Sequence, residues 1–127
     1  MPTRGIRGAT VATANTAEAI RSATHELLQE LVAENNLDPD DIASVIFTTT
    51  PDLTAEAPAR AARELGWTEA ALLCVGEMET VDGLRRCIRV LIHWNTDKGP
   101  SEVRHVYLRD AVRLRPDRVA KVRLPNS

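Results

Sequence analysis

The stretch that decides the fold reads Leu72-Leu73-Cys74-Val75-Gly76-Glu77-Met78, a polar bridge with Glu79, Thr80, Asp82 and Gly83, then Cys87-Ile88-Arg89-Val90-Leu91-Ile92-His93-Trp94. Two apolar runs of strand length flank a Gly-containing turn, and each run carries one ionisable side chain that an all-apolar strand does not need. These are Glu77 and Arg89. Burying a charge without a partner costs several kcal/mol or forces neutralisation, so such residues call for a partner or a ligand. An ion pair between the two would answer that demand; a bound molecule between them would answer it equally.

Working outward, residues 42–50 are rich in β-branched side chains around Val45, Ile46 and Phe47, end in three threonines, and stop at Pro51-Asp52. Between this strand and the central stretch, residues 58–65 predict a short helix closed by Gly66, with Arg60 and Arg63 three apart on one face and Arg60 four before Glu64. Residues 3–12 predict a Gly-containing strand in which alternation puts Arg7 on the face of Ala9 and Val11. A surface arginine on an edge strand is the plain reading of Arg7. Asn15 followed by Glu18 resembles a capping box, and Ile20, Ala23, Leu27, Leu28 and Leu31 recur at helical spacing, predicting an amphipathic helix over 16–34. His25 falls on its solvated side. Asn35-Asn36 ends it, and Asp38-Pro39 opens a short turn. After the Gly99-Pro100 break, residues 103–108 predict a last strand with His105 and Tyr107 on one face, followed by a tail that alternates arginine with apolar residues and is expected to be mobile from about 116.

The length of 127 residues fits a single domain over 1–127, and 43% apolar composition supplies a core. Four aromatic residues, Phe47, Trp67, Trp94 and Tyr107, leave little surface for stacking bases. Charge is divided: residues 1–84 carry 5 basic and 14 acidic side chains, residues 85–127 carry 11 and 4. The longest basic run is Arg85-Arg86, too short for a nucleic-acid tail, so the split points to a small anionic ligand or to complementary subunits. Fourteen of the sixteen basic residues are arginine, which suits forked recognition of carboxylate or phosphate. Cys74 and Cys87 lie inside apolar runs without metal-ligand spacing and are expected to be buried thiols. No metal site, phosphate loop or nucleophile elbow can be read. Neither a membrane span nor a signal segment is visible, so a cytoplasmic protein is expected, with no nucleic-acid or membrane partner.

Five segments together carry a resemblance: Arg4-Gly5-Ile6-Arg7-Gly8-Ala9-Thr10, Thr50-Pro51-Asp52-Leu53, Cys74-Val75-Gly76-Glu77-Met78, Leu84-Arg85-Arg86-Cys87-Ile88-Arg89-Val90 and Arg104-His105-Val106-Tyr107-Leu108. In order and spacing the chain resembles the monofunctional chorismate mutases of the Bacillus, AroH type. That resemblance implies an α+β subunit, a mixed β-sheet packed against one long and one short helix, assembled as a homotrimer with a site at each subunit interface. It implies a cofactor-free isomerase that rearranges chorismate to prephenate on the route to phenylalanine and tyrosine. Its implied catalytic residues are Arg89, which meets the ether oxygen, Glu77 at the ring hydroxyl, Arg7 at a carboxylate, and Tyr107. Its implied substrate-binding residues are Cys74, Arg60, Arg63, Leu114, Arg115, Leu73 and Ala59. Members of the family can carry an aromatic ring where Ala57 stands and lysine where Arg60 stands, and the chain is one residue shorter near Gly66. A trimeric carboxylate-binding module without activity, or a deaminase-like trimer, is the competing reading of the same α+β pattern.

Overall fold

A computed structural model describes residues 1–81 and 83–114. Asp82, Arg115 and the tail expected from about 116 therefore lie outside the described residues. Five strands, β1 (Thr3–Val11), β2 (Ile42–Thr49), β3 (Ala71–Gly76), β4 (Cys87–Asn95) and β5 (Val106–Tyr107), form one sheet in the order β3-β2-β4-β1-β5. The two inner contacts, β2 with β4 and β4 with β1, are antiparallel; the outer strands β3 and β5 run parallel to β2 and β1. The two apolar runs of the central stretch thus do not pair with each other. β2 lies between them.

One long helix, α1 (Ala17–Asn35), and one short helix, α2 (Ala59–Glu64), accompany the sheet. Strand alternation divides the sheet into two faces. Ile6 and Gly8 of β1, Val45 and Phe47 of β2, and Val90 and Ile92 of β4 are buried beneath the helices, where Leu27, Leu28 and Leu31 of α1 are fully enclosed. Each such aliphatic side chain contributes ~1.5 to 3 kcal/mol by leaving water. Gly8 permits the close approach: a Cβ there would stand 2.9 Å from Leu31 Cδ1 and 3.0 Å from Val90 Cγ1. The opposite face carries Arg7, Thr48 and Arg89, which are exposed or half-exposed.

Several expectations move. Thr16, not Asn15, caps α1 by accepting the Ala19 N–H; Asn15 instead accepts the amides of Thr54 and Ala55, fastening the loop after β2. β1 is an inner strand, so Arg7 is not an edge residue. The last strand shortens to Val106–Tyr107 because Asn35, buried at the end of α1, takes both backbone groups of Arg104: its side chain donates to the carbonyl at 2.9 Å and accepts the amide at 2.8 Å. Residues Arg109–Leu114 form a 3-10 turn rather than an alternating tail. Cys87 is buried as expected, whereas Cys74 is exposed, because the edge strand β3 has a sheet neighbour on one side alone. His25 is half-buried beside Glu64, 3.3 Å from its carboxylate, not free in solvent. No helix among the described residues is long and apolar enough to cross a membrane.

Candidate active site

Sheet register assembles the site. Val75 of β3 is opposite Thr48 of β2, Thr48 opposite Arg89 of β4, Arg89 opposite Ala9 of β1, and Ala9 opposite Tyr107 of β5, one row across all five strands. A second row two residues along runs Leu73, Ile46, Leu91, Arg7. Because side chains alternate, both rows project from the face away from α1. Arg7, Thr48, Glu77, Arg89, Tyr107 and Leu114 line a hollow of about 300 Å³ on that face. A neighbouring hollow of about 520 Å³ shares Glu77, Arg89 and Leu114 with it and continues beneath Thr50, Asp52, Met78 and Leu84.

Glu77 follows the end of β3, where its amide donates to Thr49 O at 2.8 Å and so turns the side chain back over β2. Its Oε2 meets Arg89 Nε at 2.7 Å and its Oε1 accepts the Thr48 hydroxyl at 2.7 Å. The two charges are therefore in direct contact. They are not, however, buried in a core strand as the apolar runs suggested: the Arg89 side chain is 49% exposed, and the Glu77 side chain 15%. Both reach the open face of the sheet, away from the core that the helices cover. Arg7 enters the hollow from β1, with its backbone amide donated to His105 Nδ1 at 2.9 Å. That bond makes Nδ1 the acceptor and leaves the proton of a neutral ring on Nε2. Tyr107 is buried against Ala9 and Ala111.

The start of β4 is clamped by the Thr50-Pro51-Asp52 segment. Thr50 Oγ1 accepts the Cys87 amide at 2.9 Å, the Thr50 amide donates to Cys87 O at 3.1 Å, and both Asp52 oxygens accept the Arg86 amide, at 3.1 and 2.9 Å. Arg86 sits at φ 50°, a left-handed conformation that non-Gly residues hold at a cost and that this clamp secures. Partial burial pushes the Asp52 carboxyl up, but hydrogen bonds from the Thr50 hydroxyl and the Arg86 amide outweigh it, so its pKa falls below the ordinary value. Burial pushes the Cys87 thiol up to about 11 against the pull of the nearby Arg89 charge, which keeps it protonated and unreactive near neutrality.

The structure thus brings together Arg7, Glu77, Arg89, Tyr107 and Leu114. The other described members of the anticipated set are not among the residues lining these two hollows. Cys74 and Leu73 are exposed on β3, and Ala59 is 6% exposed within the core under α2. Arg60 projects into solvent and pairs with Glu56 at 3.1 Å, not with Glu64, and Arg63 is exposed. Arg115 lies outside the described residues. Sequence reasoning missed Thr48 and the clamp made by Thr50 and Asp52. The three consecutive threonines at the end of the strand were the visible signal, but their meaning depends on which residue stands opposite each.

Comparison with known proteins agrees along nearly the whole chain. The family model described as chorismate mutase type I matches residues 3–118. Chorismate mutase AroH of Thermus thermophilus is 50% identical over 115 residues, 90% of this chain and 94% of that protein. Chorismate mutase AroH of Bacillus subtilis is 44% identical over 118 residues, 92% of this chain and 93% of that one. Among solved structures, a chorismate mutase from Clostridium thermocellum superposes with a TM-score of 0.83 at 49% identity, covering 85% of this chain and 96% of the other. With the family model matching residues 3–118 and relatives 44% and 50% identical over 92% and 90% of its length, the chain belongs to the chorismate mutase type I family.

Proposed function

We propose that the hollow holding Arg7, Glu77, Arg89 and Tyr107 is where this chorismate mutase, an isomerase, rearranges chorismate to prephenate. The reaction is pericyclic: one C–O bond breaks as one C–C bond forms within a single molecule, and no atom is gained or lost. The residues therefore need not attack the substrate or move a proton. Their work is to hold a flexible dicarboxylate in its compact conformer and to place positive charge where the breaking ether oxygen gains negative charge. The single observation that carries this reading is the Arg89 guanidinium, half-exposed on the rigid inner strand β4 and gripped at Nε by Glu77. Arg7 lies on the neighbouring strand at the same hollow, suited to a substrate carboxylate. Glu77 supplies an acceptor for the ring hydroxyl and Tyr107 a phenol donor.

The chain is read as a cytoplasmic homotrimer with sites between subunits. The separation of two residue groups supports the assembly: Cys74 and Leu73 on the edge strand β3, and Arg60 and Arg63 on α2, which contacts β3, are exposed and are not among the residues lining their own hollow. A neighbouring copy would receive them at its own site, and Ala59 would support α2 from within the core. The test is to incubate the purified protein with chorismate and follow its absorbance. Loss faster than the uncatalysed rate is expected, and Arg89→Ala should lower turnover by about two to three orders of magnitude, ~3 to 4 kcal/mol of transition-state stabilisation, while leaving the fold intact. Near-parental turnover by that variant contradicts the mechanism.

A further inference from the structure

We propose that Thr48 is a positioning residue for the Glu77 carboxylate, and through it for Arg89. The inference rests on reading Glu77 and Arg89 as working parts of the site. Thr48 is the β2 residue directly opposite Arg89, and its Oγ1 donates to Glu77 Oε1 at 2.7 Å. The remaining oxygen, Oε2, meets Arg89 Nε at 2.7 Å. One carboxylate oxygen is thus assigned to each partner.

The assignment has a chemical consequence. A guanidinium and a carboxylate left to themselves favour a two-point fork, in which Nε and one terminal nitrogen hold both oxygens. Such a fork would turn a terminal nitrogen of Arg89 toward Glu77 and away from an anionic ligand. By holding Oε1, the Thr48 hydroxyl fixes the rotation of the carboxylate so that Oε2 is presented to Arg89 Nε, which would leave the terminal nitrogens to an anionic ligand. The backbone assists, because the Glu77 amide is itself bonded to Thr49 O beside Thr48. Thr48 need not touch the substrate for this; it fixes the direction in which the cation points.

Valine has the shape and the strand preference of threonine without the hydroxyl, so Thr48→Val isolates the hydrogen bond, and Thr48→Ser keeps it. Steady-state kinetics on chorismate should be measured for both, for Thr48→Ala, for Glu77→Ala and for Thr48→Val combined with Glu77→Ala. Thr48→Val is expected to lower kcat about tenfold with KM shifted much less, and Thr48→Ser to stay within about twofold of the parent, since a charged hydrogen bond is lost only in the former. In the Glu77→Ala background the further effect of Thr48→Val should shrink to less than about twofold, the mark of two residues acting as one unit. Should Thr48→Val fold poorly, Thr48→Ala reads the same loss. Parental kcat/KM in the valine and alanine variants, beside an impaired Glu77→Ala, overturns the role of Thr48 alone. An undiminished loss in the Glu77→Ala background does the same, because the hydroxyl then acts without Glu77. An unimpaired Glu77→Ala removes the reading of Glu77 as a site residue, and this inference with it.

Discussion

Glu77 and Arg89 touch, and a merely structural ion pair would look the same at this one contact. Exposure separates the two readings. With the Arg89 side chain half in water, the pair contributes at most about 1 kcal/mol to folding once solvent screening is counted. Glu77→Gln is therefore expected to shift the unfolding midpoint little while lowering kcat/KM for chorismate clearly; the opposite pattern would make the pair structural. Asp52 acts through stability. Its carboxyl has a lower pKa in the folded chain than its ordinary 3.8, so near that pH the unfolded chain binds more protons. The stabilisation is present above about pH 4 and is lost as pH falls through the folded value. Asp52→Asn should lower the melting temperature at pH 7 and approach the parent's at pH 3; an equal gap at both pH values would mean that the carboxylate charge is not what holds the Arg86 amide. Residue identity alone marked Glu77 and Arg89, the two charges within apolar runs; the family resemblance added Arg7 and Tyr107, and all four line one hollow. Thr48 did not stand out. A threonine in a strand is ordinary until its opposite residue is known.

Elements were legible where one period dominates. The apolar spacing of α1 and the β-branched run of β2 place both within a residue or two of their observed bounds, and Asn36 ends α1 in the left-handed conformation at φ 51° with its amide on Val32 O. Sheet order was not legible, since periodicity says which face a residue takes and nothing about its neighbour strand. That is why the exposed Cys74 was expected to be buried: an apolar run cannot tell an edge strand from an inner one. Gly8 is where sequence and packing meet most closely. It faces Leu27 and Leu31 of α1 and Val90 of β4, with Leu27 Cδ1 3.2 Å from the position of an added Cβ. Leucine tips can turn aside, whereas the branched Val90 in an inner strand has little freedom. Gly8→Ala should cost ~1 to 3 kcal/mol of stability by urea unfolding, as overpacked cores do. Stability within about 0.5 kcal/mol of the parent would indicate slack between α1 and the sheet.

The proposed trimer belongs to the scale of the whole molecule. β3 is an edge strand beside the hollow, and Leu73 and Val75 are 56% and 41% exposed on its open face, in the same rows as Arg7 and Arg89. An apolar edge of this kind invites pairing unless charges or a covering element blunt it. Along the sequence, the acidic first two thirds and the basic last third of the chain are opposite in charge, which would favour an association of copies. Sedimentation equilibrium is expected to give a mass near three times 14.0 kDa. Val75→Glu places a charge where the proposed contact is apolar, and leaving a charge unpaired in such a surface costs several kcal/mol. That variant should sediment closer to a single chain and lose most of its chorismate turnover, because a lone copy would lack what its neighbour supplies. A parent that sediments as a single chain at working concentration contradicts the assembly. A Val75→Glu monomer with full turnover would show instead that one chain completes its own site, and the exposed rows of β3 would then need another explanation.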